Sequence, residues 1–249
     1  MVLWTSREAI RCPANQLLAD VTEKFLGSEP LMFYPVFLNL AGKRIVIIGG
    51  GSVSERRVLS LLRCGALVTV VSPEVTPRLQ SLADSNAIVL HRRSYLCGDC
   101  AGAFLIFCAT NDPAVQTAVW KEAHRSGTLV NTADEPDRCD FIMPAVVEQG
   151  DLTIAISTNG KSPALAAHLR RRFSRLIGPE YGELLRRMVE IRAEIRQRVS
   201  DFEHRKELHY RIIASGVLRL LRRGQRADAE RLIRRTAEHY IHEKRLTGD

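Results

Sequence analysis

The stretch that decides the fold is RIVIIGGGSVS, residues 44–54. Its first half, residues 44–48, is apolar after Arg44 and runs directly into three consecutive glycines. A continuous apolar run that stops at glycine is typical of a strand buried on both faces of a parallel sheet. Valine and leucine then recur at helical spacing over residues 54–64, so the glycines lie between a predicted strand and a predicted helix. This order is typical of a phosphate-binding turn.

The glycines match a dinucleotide-binding motif in which each position has a separate role. Gly49 and Gly51 match the first two glycines of G-x-G-x-x-G, and the small residue Ser54 stands at the third. The first glycine permits a tight turn, and the second lets the backbone approach a pyrophosphate at the helix N-terminus. A tight turn without any ligand is the alternative.

Strands and helices alternate beyond this motif. Further strands are predicted at 67–72, 88–90, 103–109 and 129–131, and helices at 77–85 and 114–126, with Gly65 as the C-cap of the first helix. Such alternation predicts βαβ units and a parallel sheet. The pattern changes after Pro144, because residues 151–157 alternate with period two.

The whole chain is therefore predicted to be of the α/β class, with a Rossmann-like parallel sheet followed by smaller parts. We assign 1–30 to an N-terminal extension, 31–144 to the NAD-binding Rossmann domain, 145–174 to a dimerisation segment and 175–249 to a basic helical domain. The dimer core is placed in 145–174 because its alternating strand has an apolar face with no obvious partner in the Rossmann domain.

Composition narrows the function classes. Lys and Arg number 36 against 28 Asp and Glu, so the net charge of +8 permits nucleic acid, a membrane surface or a polyanionic small molecule as partner. No apolar run approaches the roughly 18 residues of a membrane span. The N-terminus lacks the apolar core of a secretory signal, and the six cysteines include a single C-x-x-C pair, Cys97 and Cys100. We therefore expect a cytoplasmic protein with no membrane partner and no permanent metal.

Polar residues follow three of the predicted strands, where ligands of parallel sheets bind. Pro73 and Glu74 follow the second strand, and no arginine stands there to hold a 2′-phosphate, which favours NAD without settling NAD against NADP. Thr110 and Asn111 follow a later strand as candidate cofactor contacts, or only as part of a helix N-cap. Asp134 follows the last strand as a general base or metal ligand, or only as a turn residue before Pro136.

Six segments, in order, resemble one known family. They are GGGSVSERR at 49–57, CGALVTVVSPE at 64–74, CATND at 108–112, NTAD at 131–134, DFIMPA at 140–145 and ISTNGKSPALA at 156–166. They resemble the precorrin-2 dehydrogenase/sirohydrochlorin ferrochelatase family, the N-terminal module of siroheme synthases. The resemblance runs from about residue 31 to about residue 172 and continues weakly beyond.

The resemblance implies an NAD-dependent oxidation of the polycarboxylate precorrin-2 to sirohydrochlorin by a homodimer. It leaves open whether the protein also inserts ferrous iron to give siroheme. It implies that Asp134 serves as the catalytic carboxylate and that Ser52, Val53, Pro73 and Glu74 contact NAD. The candidate substrate-binding residues are Thr158, Lys161 and Ser162, in a loop where Asn159 replaces a glycine that is common in the family.

Two other classes of function are considered. A non-enzymatic NAD-sensing regulatory domain would share the glycine loop but would not need Asp134. A DNA-binding regulator is suggested by the net charge, but the sequence has no helix-turn-helix signal, and we expect no nucleic-acid partner.

Overall fold

The structure is a computed structural model that describes residues 32–247. The predicted N-terminal extension, 1–30, lies outside the described residues. The chain divides into two compact units, the first ending at Phe141 and the second beginning at Ile142.

The first unit is a Rossmann-like sheet of five parallel strands in the order β3-β2-β1-β4-β5. The strands are β1 (Arg44–Ile48), β2 (Leu67–Val71), β3 (Val89–His91), β4 (Leu105–Cys108) and β5 (Leu129–Thr132). The helices between them are α1 (Ser52–Arg63), α2 (Pro77–Asp84) and α3 (Pro113–Ser126).

Burial on both faces explains why the strands are continuously apolar. Ile45 and Ile47 of β1 belong to one hydrophobic cluster, which includes Val58 of α1, and Val46 and Ile48 belong to a cluster on the other face, which includes residues of α3. Each β1 residue after Arg44 is therefore buried whichever way it points.

The first helix differs slightly from its predicted bounds. It begins at Ser52 rather than at residue 54, and Gly65 lies one position beyond the C-cap residue Cys64, with φ of +71°. The Gly65 N–H donates to Leu62 O at 3.0 Å and the Ala66 N–H donates to Leu61 O at 3.2 Å. These two bonds form a Schellman motif, which favours glycine at the left-handed position.

The second unit begins with an antiparallel hairpin of β6 (Ala145–Gln149) and β7 (Leu152–Ile156). The predicted alternating strand is β7, whereas β6 was not predicted and supplies its pairing partner. Five helices follow: α4 (Pro163–Leu176), α5 (Pro179–Arg198), α6 (Phe202–Ala214), α7 (Val217–Arg222) and α8 (Arg226–Thr247). The prediction of helix from 175 onward is thus correct in kind but misses the breaks between these helices. Among the described residues, no helix is both long and apolar enough to span a membrane.

Candidate functional site

The glycine loop lies between the ends of β2 and β4 and contacts both. A Cβ atom on Gly49, whose φ is +114°, would lie 2.3 Å from the Ala109 carbonyl oxygen after β4. A Cβ atom on Gly50 would lie 2.1 Å from the Glu74 carbonyl oxygen after β2. The Thr76 N–H also donates to Gly50 O at 3.0 Å. Both glycines are therefore required by the protein's own packing, and sequence reasoning assigned no role to Gly50.

Gly51 has a different environment, because no atom lies within 4 Å of a Cβ built on it. It is the N-cap of α1 and provides no side-chain cap, whereas α2, α3, α4 and α6 are each capped by a side chain. Ser52 and Val53 follow it and are exposed. The N-terminus of α1 is thus open, and an uncapped helix N-terminus beside a glycine suits a pyrophosphate.

Ser54, at the third position of the motif, is completely buried. Its Oγ has no hydrogen-bond partner among the described residues. A small side chain here permits close packing of α1 on the sheet, which is the role of the third glycine in the motif.

The turn after β2 is folded onto the glycine loop. Ser72 Oγ donates to Glu74 O at 2.6 Å, and the side chains of Pro73 and Glu74 are exposed. The structure therefore places both candidate cofactor contacts at the sheet edge that carries the glycine loop.

The turn after β4 is fixed by hydrogen bonds. Thr110 Oγ1 accepts from the Asp112 N–H at 3.3 Å, and Thr110 O accepts from Gln116 Nε2 at 2.8 Å. Asp112 is the N-cap of α3, because its Oδ1 accepts from the Ala114 N–H at 2.8 Å. Asn111 is exposed at the same edge.

Asp134 projects from the end of β5, the strand next to β4. It is exposed and has φ of +63°, in the left-handed region. The preceding residue is tied to the neighbouring strand, since the Ala133 N–H donates to Cys108 O at 2.8 Å. Non-glycine residues in this conformation are uncommon and persist where the surrounding structure holds them.

A set of hydrogen bonds holds the loop that carries Asp134. Asn131 Nδ2 donates to Phe141 O at 2.9 Å, which closes the chain from 132 to 140 into a loop. Inside it, Cys139 Sγ accepts from the Thr132 N–H at 3.3 Å and donates to Thr132 O at 3.1 Å. Burial raises the pKa of the Cys139 thiol, so it keeps the proton that it donates. Sequence reasoning missed Cys139 because no motif marks it.

Of the two acidic residues near Asp134, Asp140 has a structural role and Glu135 is exposed. Asp140 Oδ2 accepts from the Val130 N–H at 2.9 Å, and the Asp140 N–H donates to Val130 O at 2.9 Å. Asp140 is therefore a structural residue that pins the loop to β5. Glu135 is exposed beside Asp134.

The three candidate substrate-binding residues lie in the second unit, between β7 and α4. Thr158 Oγ1 accepts from the Ser162 N–H at 3.1 Å, and Ser162 Oγ caps α4 by accepting from the Leu165 N–H at 3.2 Å. Lys161 is exposed. Asn159, at the position where the family often has glycine, has φ of +50°, which asparagine tolerates better than most residues.

The two cysteines of the C-x-x-C pair are free thiols. Cys100 is buried, and this burial raises its pKa to about 12. Within residues 32–247 no group of three or more His, Cys, Asp or Glu side chains could hold a metal ion.

Three family models match successive parts of the chain. A model for NAD(P)-binding covers residues 36–145, one for the central part of sirohaem biosynthesis proteins covers 149–176, and one for the dimerisation region of sirohaem synthase covers 180–236. Together the three models cover most of residues 36–236, and the second and third of them describe sirohaem biosynthesis proteins.

Similar proteins extend this assignment. The chain is 33% identical over 200 residues to the siroheme synthase of Nitrosococcus oceani, a match that covers 80% of this chain and 43% of the relative. It is 35% identical over 213 residues to that of Methylococcus capsulatus, which covers 86% of this chain and 45% of the relative. The chain therefore spans less than half the length of these relatives.

A solved structure is similar over its whole length. The chain named "SirC, precorrin-2 dehydrogenase" superposes with a TM-score of 0.71 at 27% identity, covering 84% of this chain and 100% of that chain. The match includes both the parallel sheet and part of the helical unit, since neither alone makes up 84% of the chain.

Proposed function

We propose that the protein oxidises precorrin-2 to sirohydrochlorin with NAD as the hydride acceptor. Precorrin-2 loses a hydride to the nicotinamide and a proton to a base, so one NADH and one proton form for each sirohydrochlorin. The observation that carries the proposal is the sheet edge of the first unit. It brings an open helix N-terminus beside Gly51 to the same edge as an exposed carboxylate, Asp134.

The residues at this edge fit a dinucleotide. The first turn of α1 and the space over Gly51 would hold its pyrophosphate, and Pro73, Glu74, Thr110 and Asn111 surround that loop. The bound dinucleotide would supply hydride acceptance. We infer NAD rather than NADP because the turn after β2 presents Glu74, which can accept hydrogen bonds from ribose hydroxyls but would repel a 2′-phosphate.

Asp134 is assigned as the base. Its carboxylate is exposed at the end of β5, next to the strand whose carboxyl end contacts the glycine loop. The hydrogen-bonded loop beneath it fixes its backbone, so the carboxylate is presented without a large ordering cost at the moment of reaction. A positioned base of this kind contributes about 10²–10⁴-fold to the rate.

Assembly as a homodimer is part of the proposal. The dimerisation-region model matches 180–236, which lies in α5 to α8, whereas we predicted the dimer core in 145–174. The assignment of 145–174 to the dimer core stays a prediction. Insertion of ferrous iron, which the resemblance leaves open, also stays a prediction.

The test is an anaerobic assay of precorrin-2 with NAD that records NADH absorbance. Asp134→Asn should bind NAD normally and form NADH at least about a hundredfold more slowly, because the shape is kept and the basicity is lost. Glu135→Gln, the exposed neighbour, is the matched control and should stay near the wild-type rate.

Two outcomes would contradict the proposal. An Asp134→Asn variant with an undiminished rate would leave Asp134 as a turn residue. A wild-type protein that binds NAD and forms no NADH would instead support the NAD-sensing regulatory domain. Adding ferrous iron to the same anaerobic assay tests chelation.

A further inference from the structure

Arg57 is a partly buried cation that has no anionic partner within residues 32–247. It lies in the second turn of α1, and its guanidinium carbon is 5.7 Å from the centre of the Phe107 ring on β4. Among the residues that the structure describes, no carboxylate forms an ion pair with it. Arg187, which is also partly buried, has Glu183 at 3.1 Å.

The environment of Arg57 is electrostatically unfavourable. Burial lowers its pKa, and the positive charge of Arg56 lowers it further. Arginine nevertheless stays charged in proteins, so the fold cannot relieve the cost by deprotonation. Buried charges are normally paired, and a cation held against an aromatic ring alone is only partly compensated.

The position of Arg57 points to the sheet edge described above. Phe107 lies near the carboxyl end of β4 and pairs in register with Asn131 of β5, three residues before Asp134. The Phe107 ring makes an edge contact with Phe141, with centroids 5.4 Å apart. Arg57 is also carried by the helix that begins at the glycine loop. The Arg57 guanidinium therefore lies beside Phe107 on β4. The two neighbours of β4 in the sheet are β1, which leads into the glycine loop, and β5, which leads to Asp134.

We propose that Arg57 binds an anionic group of a bound small molecule, either a carboxylate of the tetrapyrrole or a phosphate of the dinucleotide. The planar guanidinium can hold either group through two parallel hydrogen bonds. The naming of these two ligands rests on the proposed function. Both ligands would place an oxyanion beside Phe107. That part of the proposal rests on the absence of a described carboxylate that pairs with Arg57.

The adjacent arginines allow a matched experiment. Arg57→Gln removes the charge, and Arg57→Lys keeps the charge but cannot form two parallel hydrogen bonds. Arg56→Gln removes an exposed charge one residue away. The dissociation constants of NAD and of uroporphyrin, a polycarboxylate porphyrin, are measured for each variant, together with KM and kcat for precorrin-2 and the unfolding temperature.

Arg57→Gln should weaken one of the two ligands by about tenfold to a hundredfold, the usual range for a charged hydrogen bond. The affinity of Arg57→Lys for that ligand should fall between those of the wild type and Arg57→Gln. The affinity of Arg56→Gln should match that of the wild type. Weaker NAD binding identifies a phosphate, whereas weaker uroporphyrin binding with a raised KM for precorrin-2 identifies a carboxylate.

Unchanged affinity for both ligands in Arg57→Gln would overturn the proposal. If the unfolding temperature alone fell, Arg57 would serve only to pack on Phe107. If light scattering of the same variants showed that only the oligomer dissociated, the counter-charge of Arg57 would belong to a second copy of the chain. The two binding measurements need no turnover, so they decide the role of Arg57 even if the wild type fails to oxidise precorrin-2.

Discussion

Substitution of two adjacent glycines should separate the requirements of folding from those of cofactor binding. Gly51→Asp places a carboxylate at the N-cap of an uncapped helix, where nothing lies within 4 Å of the new Cβ. An N-cap aspartate gains a few tenths of a kcal/mol over glycine, and its charge gains about 0.3–1 kcal/mol from the helix dipole. At about 2–4 °C per kcal/mol for a chain of this size, the protein without cofactor should melt about 1–6 °C higher.

The same variant should lose NAD. Two unit charges about 4 Å apart repel by about 4 kcal/mol at an effective dielectric constant near 20, which corresponds to roughly a thousandfold in affinity. Screening by salt and movement of the side chain reduce this, so we expect a loss of at least about a hundredfold.

Gly50→Ala should instead lower the unfolding temperature. Its Cβ would lie 2.1 Å from Glu74 O and 2.7 Å from Val75 Cγ1, and the backbone oxygen cannot yield without moving the turn after β2. Overpacking of this kind costs about 1–3 kcal/mol or more, or about 2–12 °C in unfolding temperature. Thermal unfolding and NAD titration are run on the same samples. The reasoning would be refuted if Gly51→Asp melted as low as Gly50→Ala, or if it bound NAD like the wild type.

Three further predictions concern the loop under Asp134, a histidine and the assembly. Asn131→Asp removes the donor to Phe141 O and should lower the rate of NADH formation by about tenfold or more while NAD affinity is kept, because small displacements of a catalytic group are costly; an unchanged rate would show that the loop holds without it. Burial, and after it two arginines, lower the pKa of His209, so the unfolded chain takes up a proton that the folded protein resists. Stability measured by urea unfolding should therefore fall as pH drops below about 6.5, and His209→Gln should flatten that slope. Light scattering at micromolar concentration should show a dimer, and a monomer would count against interfaces in both 145–174 and 180–236.

The sheet could be predicted because each of its strands has a local signal. The run 45–48 is apolar throughout and ends at glycine, and the burial of β1 on both faces is the physical reason. Strand β6 has no such signal. Its five residues, Ala145–Gln149, are short and do not alternate clearly, and its pairing depends on the turn at Gly150. The breaks within 175–249 do carry local signals, Gly178 before Pro179, Ser200 before Asp201, Gly216 and Gly224, and the prediction of one continuous helical domain did not use them.

The candidate site could be predicted only where a motif marks it. Gly49 and Gly51 follow from the spacing, whereas the need for glycine at 50 depends on a carbonyl oxygen 24 residues later in the chain. Cys139 acts through its neighbours in space, and one sequence carries no sign of that contact. Asp134 was located by its place after a strand, but its left-handed backbone depends on the loop that holds it.

The positions that the fold does not itself explain are those where a ligand has to be considered. Gly49 and Gly50 are explained by carbonyl oxygens that a Cβ would strike. No atom lies within 4 Å of a Cβ built on Gly51, Asp134 is exposed at the end of β5, and Arg57 carries a charge that no described carboxylate balances. These three positions leave an open space, an exposed carboxylate and an unbalanced positive charge, each of which a ligand could use. Because all three belong to the same parallel-sheet unit, the proposed binding of a dinucleotide and a polycarboxylate would account for them together.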